Sequence, residues 1–552
     1  MLPRVLEGSR RWLFARLVAY GFGQALAAIG TALLVERGFD RLIGERTATL
    51  GEFGTVGGGL AFAAACAGWL RMRERVDAER LGQSYVHGVR NRLFKRLTQF
   101  APRSMQQRSQ GGIMLRFIGD LNALRQWVSL GLARITVAGT SIVGALVALA
   151  FISLRLALAT GSVITIGAVV AGFRGRVIRQ ASREARRRRS RLAANVNEKV
   201  ATISVMQAFG QSKRERERVK RQSRQLRRAM VERARVVGQL RGIVEVTTAL
   251  ALGAALLAGA VEVGAGRASP GTVVAAMSIV GLLVPPLRDL GRVQEYWHNS
   301  RVSLEKIHEF LERGEPVVEA PDAPDLVPGP GHLRIENLEV EGSLRGLSAT
   351  TEPGTIVGIV GANGAGKTTL LSVIARLVEP TGGGVLVDDQ AIADCNLASI
   401  RRTIGLVGPD FPLLRGSVLK NLCYRWPEAP DEEVQRVLAL CDLYDVLDTL
   451  PEGIQSRVGE GGKGLSAGQR QRILLGRALL GNPDILLLDE ADSNLDPKAS
   501  AIVDRIIAEH DGTVLLVTHN PERLKAVDVV WRIDEGRLAA VEANESRSQV
   551  DK

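Results

Sequence analysis

Hydrophobic and polar positions fall into two regimes along this chain. Up to residue 287, long apolar runs alternate with basic stretches. The runs are Leu13–Val35, Gly54–Leu70, Ile135–Ile152, Leu156–Phe173, Ile243–Val263 and Val273–Leu287. Several approach the ~20 residues a helix needs to cross a ~30 Å hydrocarbon layer. They predict six membrane-spanning helices. The last is short, and "SPGT" starts it near Gly271, with Ser269 and Pro270 as a helix-initiating pair. Beyond residue 332 the texture changes. Short apolar runs such as "GTIVGIVG", "DILLLDE" and "GTVLLVTH" are separated by helical stretches, which predicts a soluble α/β domain with a parallel sheet.

The polar segments between the apolar runs give the first half an orientation. Residues 71–125 hold twelve Lys/Arg against four acids, and residues 174–241 hold twenty-two against five. Residues 36–52 hold three arginines against four acids, the third-to-fourth turn offers only Arg155, and the fifth-to-sixth turn only Glu262 and Arg267. Basic loops stay in the cytoplasm, so both termini are expected there, in the cytoplasmic (inner) membrane of a bacterium. The two basic segments are too long for turns. The second contains "AANVNEKVATISVMQAFGQSKRERERVKRQSRQLRRAM", which has no proline and one glycine. The helices are therefore expected to run on far into the cytoplasm, the sixth to about Leu311.

The densest basic block is "ASREARRRRSR", Ala181 to Arg191, with six arginines in eleven residues. The whole chain carries a net charge of +14, which suits nucleic acid or an anionic membrane surface alike. Its place just past the fourth apolar run decides for membrane lipid headgroups, at about 1 kcal/mol per residue near the surface, and against nucleic acid. The cysteines Cys66, Cys395, Cys423 and Cys441 show no metal-ligand spacing, and the six histidines do not cluster with them; reduced thiols are expected. "ERGEPVVEAPDAPDLVPGPGH", with five prolines, reads as a semi-rigid linker. The expected organisation is a transmembrane domain over 1–311, a linker over 312–332, a nucleotide-binding domain over 333–540 and a tail over 541–552.

The second half carries the chemistry. "GANGAGKTT" comprises Gly361, Ala362, Asn363, Gly364, Ala365, Gly366, Lys367, Thr368 and Thr369. It fits GxxxxGK[ST], following an apolar strand and opening a helix. The glycines let backbone N–H groups wrap phosphates at a helix N-terminus that favours anions. Lys367 is expected on the β- and γ-phosphates and Thr368 on Mg²⁺. "DILLLDE" ends in Asp489, where a metal-organising acid belongs, and Glu490, which can polarise a water.

"LSAGQRQR", Leu465–Arg472, precedes that strand and opens a helix. It resembles the LSGGQ signature of the ATP-binding cassette (ABC) family, with Ala467 at the third position. "EADSNLD" is similar to the family's D-loop (Ser493, Asp496), "LLVTHN" to its switch histidine (His519), and "RVGEGG" to the loop before the signature in exporters. Six spans and a C-terminal cassette on one chain resemble an exporter half-transporter of the type IV membrane fold. The expected fold is thus a six-helix polytopic membrane domain with long cytoplasmic extensions, followed by an α/β P-loop cassette.

The resemblance implies two cassettes closing head to tail on two ATP, as a homodimer or as a heterodimer with a second half-transporter. Ser466, Ala467, Gly468 and Gln469 of one chain would face the γ-phosphate held by the other. Glu490 would orient or deprotonate the attacking water, and His519 would hold the γ-phosphate. Coupling helices are expected near Pro102–Gln110 and Ala201–Ala208. The implied function is ATP-driven export of a hydrophobic or amphipathic substrate by alternating access. The competing readings are one half of a heterodimer with an impaired site, or a low-turnover regulatory protein. Tyr20, Gln24 and Ser278 are the polar cargo candidates in the spans. Two positions depart from the family. Gly342 stands where an aromatic residue supports the adenine, and no Tyr, Phe or Trp lies between Trp297 and Phe411 except Phe310. In "IGLVGPDFPLLRGSV", Gly408 and Pro409 replace a proline and a glutamine that touches Mg²⁺ and the attacking water. The metal would then rest on Thr368, Asp489 and ordered water.

Overall fold

The computed structural model describes residues 2–41, 50–102, 110–312, 317, 319–320, 322–491, 495 and 497–544. The chain divides into two compact units. One is Met1–Leu97 with Ser109–Arg313; the other is Thr98–Arg108 with Gly314–Lys552.

The first unit is helical. Its long helices are Arg10–Phe39, Leu50–Leu97, Leu154–Ala201, Ser212–Gly264 and Val284–Glu312. A further stretch, Gln110 to Ile152, stays helical through two π-helical segments, Arg116–Asp120 and Trp127–Leu132. At ~1.5 Å per residue the 48- and 53-residue helices are about 72 and 80 Å long. The hydrocarbon layer absorbs only ~30 Å of that, so the basic halves of these helices extend beyond it. Among the described residues, five helices are long and apolar enough to cross a membrane. The sixth apolar segment is not the continuous helix expected over Val273–Leu287. It is a 13-residue helix, Pro270–Leu282, that stops at Leu283 before a new helix begins at Val284. Pro285 and Pro286 fall in the first turn of the new helix, where a residue without an N–H is tolerated, whereas in the interior of one continuous helix it is not.

Small residues let the helices approach. A Cβ at Gly21 would lie 1.8 Å from Thr140 Oγ1, and one at Gly167 would lie 2.2 Å from the Thr247 side chain. Ionic groups sit towards the helix ends. Gly271 N and Ser269 Oγ donate to the Asp40 carboxylate (2.7 and 2.5 Å), and Thr272 Oγ1 donates to Glu36 (2.7 Å). The end of the first helix thus caps the start of Pro270–Leu282. Glu262 pairs with both Arg155 and Arg267 (2.7 and 3.0 Å), joining the two turns read as outward-facing. Near the opposite ends, fully buried Asp77 accepts from Arg16 and from Tyr20 Oη, both at 2.8 Å. Tyr20 is therefore committed to the fold, as is Ser278, which donates to Val274 O (2.9 Å). Gln24 donates to Glu74 (2.7 Å).

Among its described residues the second unit carries twelve strands: β1 Leu333–Val340, β2 Leu344–Thr351, β3 Ile356–Val360, β4 Gly382–Val387, β5 Gln390–Ala391, β6 Ile404–Val407, β7 Gly416–Ser417, β8 Arg457–Val458, β9 Ile485–Asp489, β10 Thr513–Val517, β11 Val529–Asp534 and β12 Arg537–Ala543. They form a six-stranded sheet, β12-β11-β3-β10-β9-β6, a four-stranded sheet, β2-β1-β4-β5, and a β7-β8 pair. The parallel sheet expected from the sequence is present, but the domain is mixed. Only β11, β3, β10, β9 and β6 run parallel; β12 and the whole four-stranded sheet are antiparallel. The apolar runs are continuous because both faces of the parallel sheet are covered. Leu486, Leu488, Val514 and Leu516 enter one core, and Ile485, Leu487, Leu515 and Val517 the other. This unit also takes in the start of the loop after Leu97: Val317 N donates to Gln99 O (2.8 Å), and Phe100 and Ala101 are buried. Residues 103–109, which hold most of the first expected coupling helix, lie outside the described residues. The second is a short exposed helix, Ile203–Ala208. All four cysteines are free.

Candidate functional site

Strand register builds the site. In β3, β10 and β9, Ile359, Val517 and Asp489 stand level across the sheet, Val517 pairing with both others. The chain leaves all three strands at the same edge. It continues there as the phosphate loop, as Thr518–His519 and as Glu490, at the carboxyl ends where open α/β sheets bind ligands.

The loop's backbone needs its glycines. Gly364 and Gly366 have φ of +84° and +107°, and a Cβ on Gly361 would lie 2.1 Å from Ile533 O. Gly366 then starts the helix Lys367–Ile374, whose first turn faces the loop. Lys367 is buried and donates to Gly361 O (2.8 Å) and Ala362 O (3.1 Å), so its ammonium already sits within the loop's curve. Ser343, at the β1–β2 turn, donates to Thr369 Oγ1 (2.8 Å) and fixes that turn beside the loop. Gly342 is the exposed tip of this turn, at φ +70° and without a side chain.

Asp489 is 5% exposed. Burial holds its carboxyl above the usual carboxylate range. The Thr368 hydroxyl donates to it and opposes the shift, as does Lys367, while the charges of Glu490 and Asp410 add to it. A hydroxyl and a carboxylate oxygen brought together are the donors a hard divalent cation takes. Among the described residues no three His, Cys, Asp or Glu side chains form a metal cluster of their own. The protein's share of a Mg²⁺ shell would therefore be Thr368 and Asp489, completed by nucleotide and water. Glu490 is exposed, with φ +47°, and its N–H donates to Val517 O (3.0 Å). A non-glycine residue in the left-handed region is uncommon and costs energy. Here it ends the buried strand and leaves Glu490 exposed at its carboxyl end. His519 follows buried Thr518 and is exposed at the same edge.

The signature residues stand elsewhere. Ser466 and Gln469 form a capping box at the start of the helix Ala467–Leu479: Gln469 N donates to Ser466 Oγ (3.2 Å) and Ser466 N to Gln469 Oε1 (2.9 Å). Ser466 and Ala467 are exposed, and Gly468 is buried. Ser493 and Asp496 lie outside the described residues. Sequence reasoning passed over Arg477. From the signature helix it donates to Phe411 O and Pro412 O (3.1 Å to the latter), holding the loop that follows Pro409.

The first unit contains a cavity of about 580 Å³ lined from the helices Leu154–Ala201, Ser212–Gly264 and Val284–Glu312. Along the first of these the lining changes character. Ile164, Ala168 and Ala171 come first, then Ser182, Arg183, Arg186 and Arg187. The arginine run is thus not spent wholly on the membrane surface: three of its members face this cavity. Arg188 pairs with Glu184 (2.6 Å) and donates to Gln225 (2.7 Å). Desolvation holds Arg186 below the usual guanidinium range, against the pull of Glu295 and Asp120. Ser182 Oγ is buried without a hydrogen-bond partner.

Two family models match the chain, one described as ABC transporter over residues 344–493 and one as ABC transporter transmembrane region over residues 17–287. The chain is 28% identical over 464 residues to the uncharacterized ABC transporter ATP-binding protein YknV of Bacillus subtilis (strain 168), covering 83% of this chain and 77% of that protein. It is 29% identical over 465 residues to the ATP-dependent lipid A-core flippase of Bordetella avium (strain 197N), covering 82% and 78%. The structure of an ATP-bound bacterial Atm1-family ABC exporter matches with a TM-score of 0.82 at 23% identity, over 98% of this chain and 96% of that one.

Two substitutions test this arrangement. Glu490→Gln keeps the position and removes the proton acceptor. It should leave ATP binding intact and reduce phosphate release at least a hundredfold; wild-type turnover would remove Glu490 from the chemistry. Gly342→Tyr places a ring on the turn beside Thr369. Base–aromatic stacks contribute about 1–3 kcal/mol, so ATP should bind about tenfold tighter, while the native protein should barely distinguish ATP from GTP. A native preference of orders of magnitude for ATP would mean that another side chain reads the base.

Proposed function

The chain belongs to the ABC transporter family, and on that premise we propose that it exports an amphipathic molecule bearing an acidic group, driven by ATP. It is an integral membrane protein with an ATP-hydrolysing cassette, of a family of half-transporters that work as dimers. The observation that carries the cargo reading is the cavity. On the helix Leu154–Ala201, the lining residues Ile164, Ala168 and Ala171 fall within the expected span Leu156–Phe173, and Arg183, Arg186 and Arg187 lie past its end. A molecule with its apolar part at bilayer depth and its anionic part just inside the cytoplasm matches that order. Arg183, Arg186 and Arg187, exposed on that wall, favour an anion over a neutral head. The relative named as a lipid A-core flippase moves a lipid, consistent with an amphiphile here.

In this reading Lys367 and the backbone N–H groups of 361–369 hold the phosphates, and Thr368 and Asp489 hold Mg²⁺. Glu490 aligns the water, and His519 steadies the terminal phosphate. Ser466, Gly468 and Gln469 approach from the other chain of a homodimer. Ser466 is exposed at a helix N-terminus, which favours an anion presented from outside. The catalysis is mostly positioning and charge stabilisation. Both termini and the cassette are cytoplasmic, following the loop charge.

The cargo reading is tested by reconstituting the protein in liposomes and following ATPase activity against a panel of amphiphiles. Anionic ones should stimulate more than zwitterionic or cationic ones. Paired charge reversal, Arg186→Glu with Arg187→Glu, should abolish that stimulation. Equal stimulation by cationic amphiphiles in the native protein would exclude an acidic cargo. Orientation is tested in a cysteine-free background. Ala265→Cys should react with an impermeant thiol reagent on intact cells and Ser190→Cys should not; the opposite pattern would invert the topology.

A further inference from the structure

The glutamine that relatives place after the sixth strand of the cassette is Pro409 here, which has neither a side-chain acceptor nor an N–H. The structure shows what lies beside it. Strands β6 and β9 are parallel, with Val407 opposite Leu488, so the next residue, Gly408, comes level with Asp489. The fit is close: a Cβ on Gly408 would lie 3.2 Å from Asp489 Cβ. The chain then turns sharply, Phe411 N donating to Gly408 O at 3.1 Å, with Pro409 and Asp410 at the two central positions. Proline suits the first of these because its φ is already set. Beyond the turn Arg477 binds Phe411 O and Pro412 O. Asp410 is therefore carried on a short turn clamped at both ends. Its near end touches the metal-organising acid, and the residue is exposed at the open edge of the sheet.

We propose that Asp410, one residue beyond the missing glutamine, supplies the oxygen that this loop contributes to the metal, accepting from water bound to a divalent cation held by Thr368 and Asp489. The proposal rests on the reading of this site as an ATP site. A carboxylate here is not equivalent to a carboxamide, because it brings a full negative charge to an edge that already holds Asp489 and Glu490. The cation at that position is held more tightly, and a metal-free nucleotide meets an extra like charge. Asp410 is among the charges that raise the Asp489 carboxyl, which agrees with its placement by the strand register. Proline fits beside such a residue: it stiffens the turn that aims the carboxylate. The loss of glutamine and the presence of proline become a single arrangement instead of two defects.

The test uses the full-length protein with Glu490→Gln, so that bound ATP is not consumed. Mn²⁺ binding is titrated at saturating ATP by its paramagnetic resonance signal, and ATP binding is measured separately in excess chelator. If the parent binds no ATP with or without metal, the ATP-site reading itself fails. With ATP bound, Asp410→Asn should weaken Mn²⁺ binding about tenfold, within the ~10–100-fold range seen when partners of metal-bound groups are removed. ATP binding in chelator should be unchanged or tighter. Adding Pro409→Gln to Asp410→Asn should recover part of the Mn²⁺ affinity, because a carboxamide oxygen returns to the loop. Asp410→Ser gives the same comparison should the asparagine variant not fold. Unchanged Mn²⁺ affinity would overturn the proposal. So would equal loss of ATP binding with and without metal, which would make Asp410 a structural residue of the turn.

Discussion

One constraint organises the cassette: the parallel strands β3, β10 and β9 are in register at their carboxyl ends. Ile359, Val517 and Asp489 occupy one level. The phosphate loop, His519 and Glu490 are the residues that follow. Shifting any of these strands by two residues would move its catalytic group by about 7 Å along the strand axis, further than a hydrogen bond can follow. A shift by one would also exchange the two buried faces. The register is held by the apolar cores on both sides, where Leu486 and Leu516 pack one way and Leu487 and Leu515 the other. Most of the apolar content of these short strands serves to hold three chain exits level.

The membrane unit obeys a different constraint. A helix crossing lipid satisfies its own backbone, so its sequence need only be apolar and closely packed. Ionic groups cluster towards the ends, as with Glu262 between Arg155 and Arg267, and Asp77 between Arg16 and Arg80. The arginine run lies past such an end. A rigid helix continues it out of the span, so its side chains cannot all reach one surface. At ~100° per residue, Arg183, Arg186 and Arg187 share a face, and that face looks into the cavity. Arg188 points to a neighbouring helix instead.

Much of this was legible in the sequence, for identifiable reasons. The spans, the phosphate loop and the acid pair are contiguous, and contiguous patterns survive folding. Three things were not. The break at Leu283 depended on how Pro285 and Pro286 weigh against a long apolar run. The four-stranded antiparallel sheet was missed because its strands are marked by alternation that glycines interrupt, as in "GGGVLV" of β4. Asp410 and Arg477 were missed because their positions follow from tertiary register and not from spacing. A residue three places past a strand means little until the neighbouring strand is known. The partner of Tyr20 could not be read for the same reason, since Asp77 lies 57 residues away.

The division into units bears on how the cassette could move the helices. Residues 98–108 belong with the cassette, although the chain on either side of them, Leu97 and Ser109, belongs to the helical unit. The bond from Val317 to Gln99 and the burial of Phe100 and Ala101 tie this short piece down. Leu50–Leu97 is a single helix of 48 residues, about 72 Å long. The covalent chain runs from residues 98–102 directly into the end of that helix, which contains no proline. Its other end lies at the turn read as outward-facing. Small residues at the helix crossings, Gly21 against Thr140 and Gly167 against Thr247, allow close contact without interlocking side chains. The polar clusters near the helix ends fix the angle at which neighbouring helices meet.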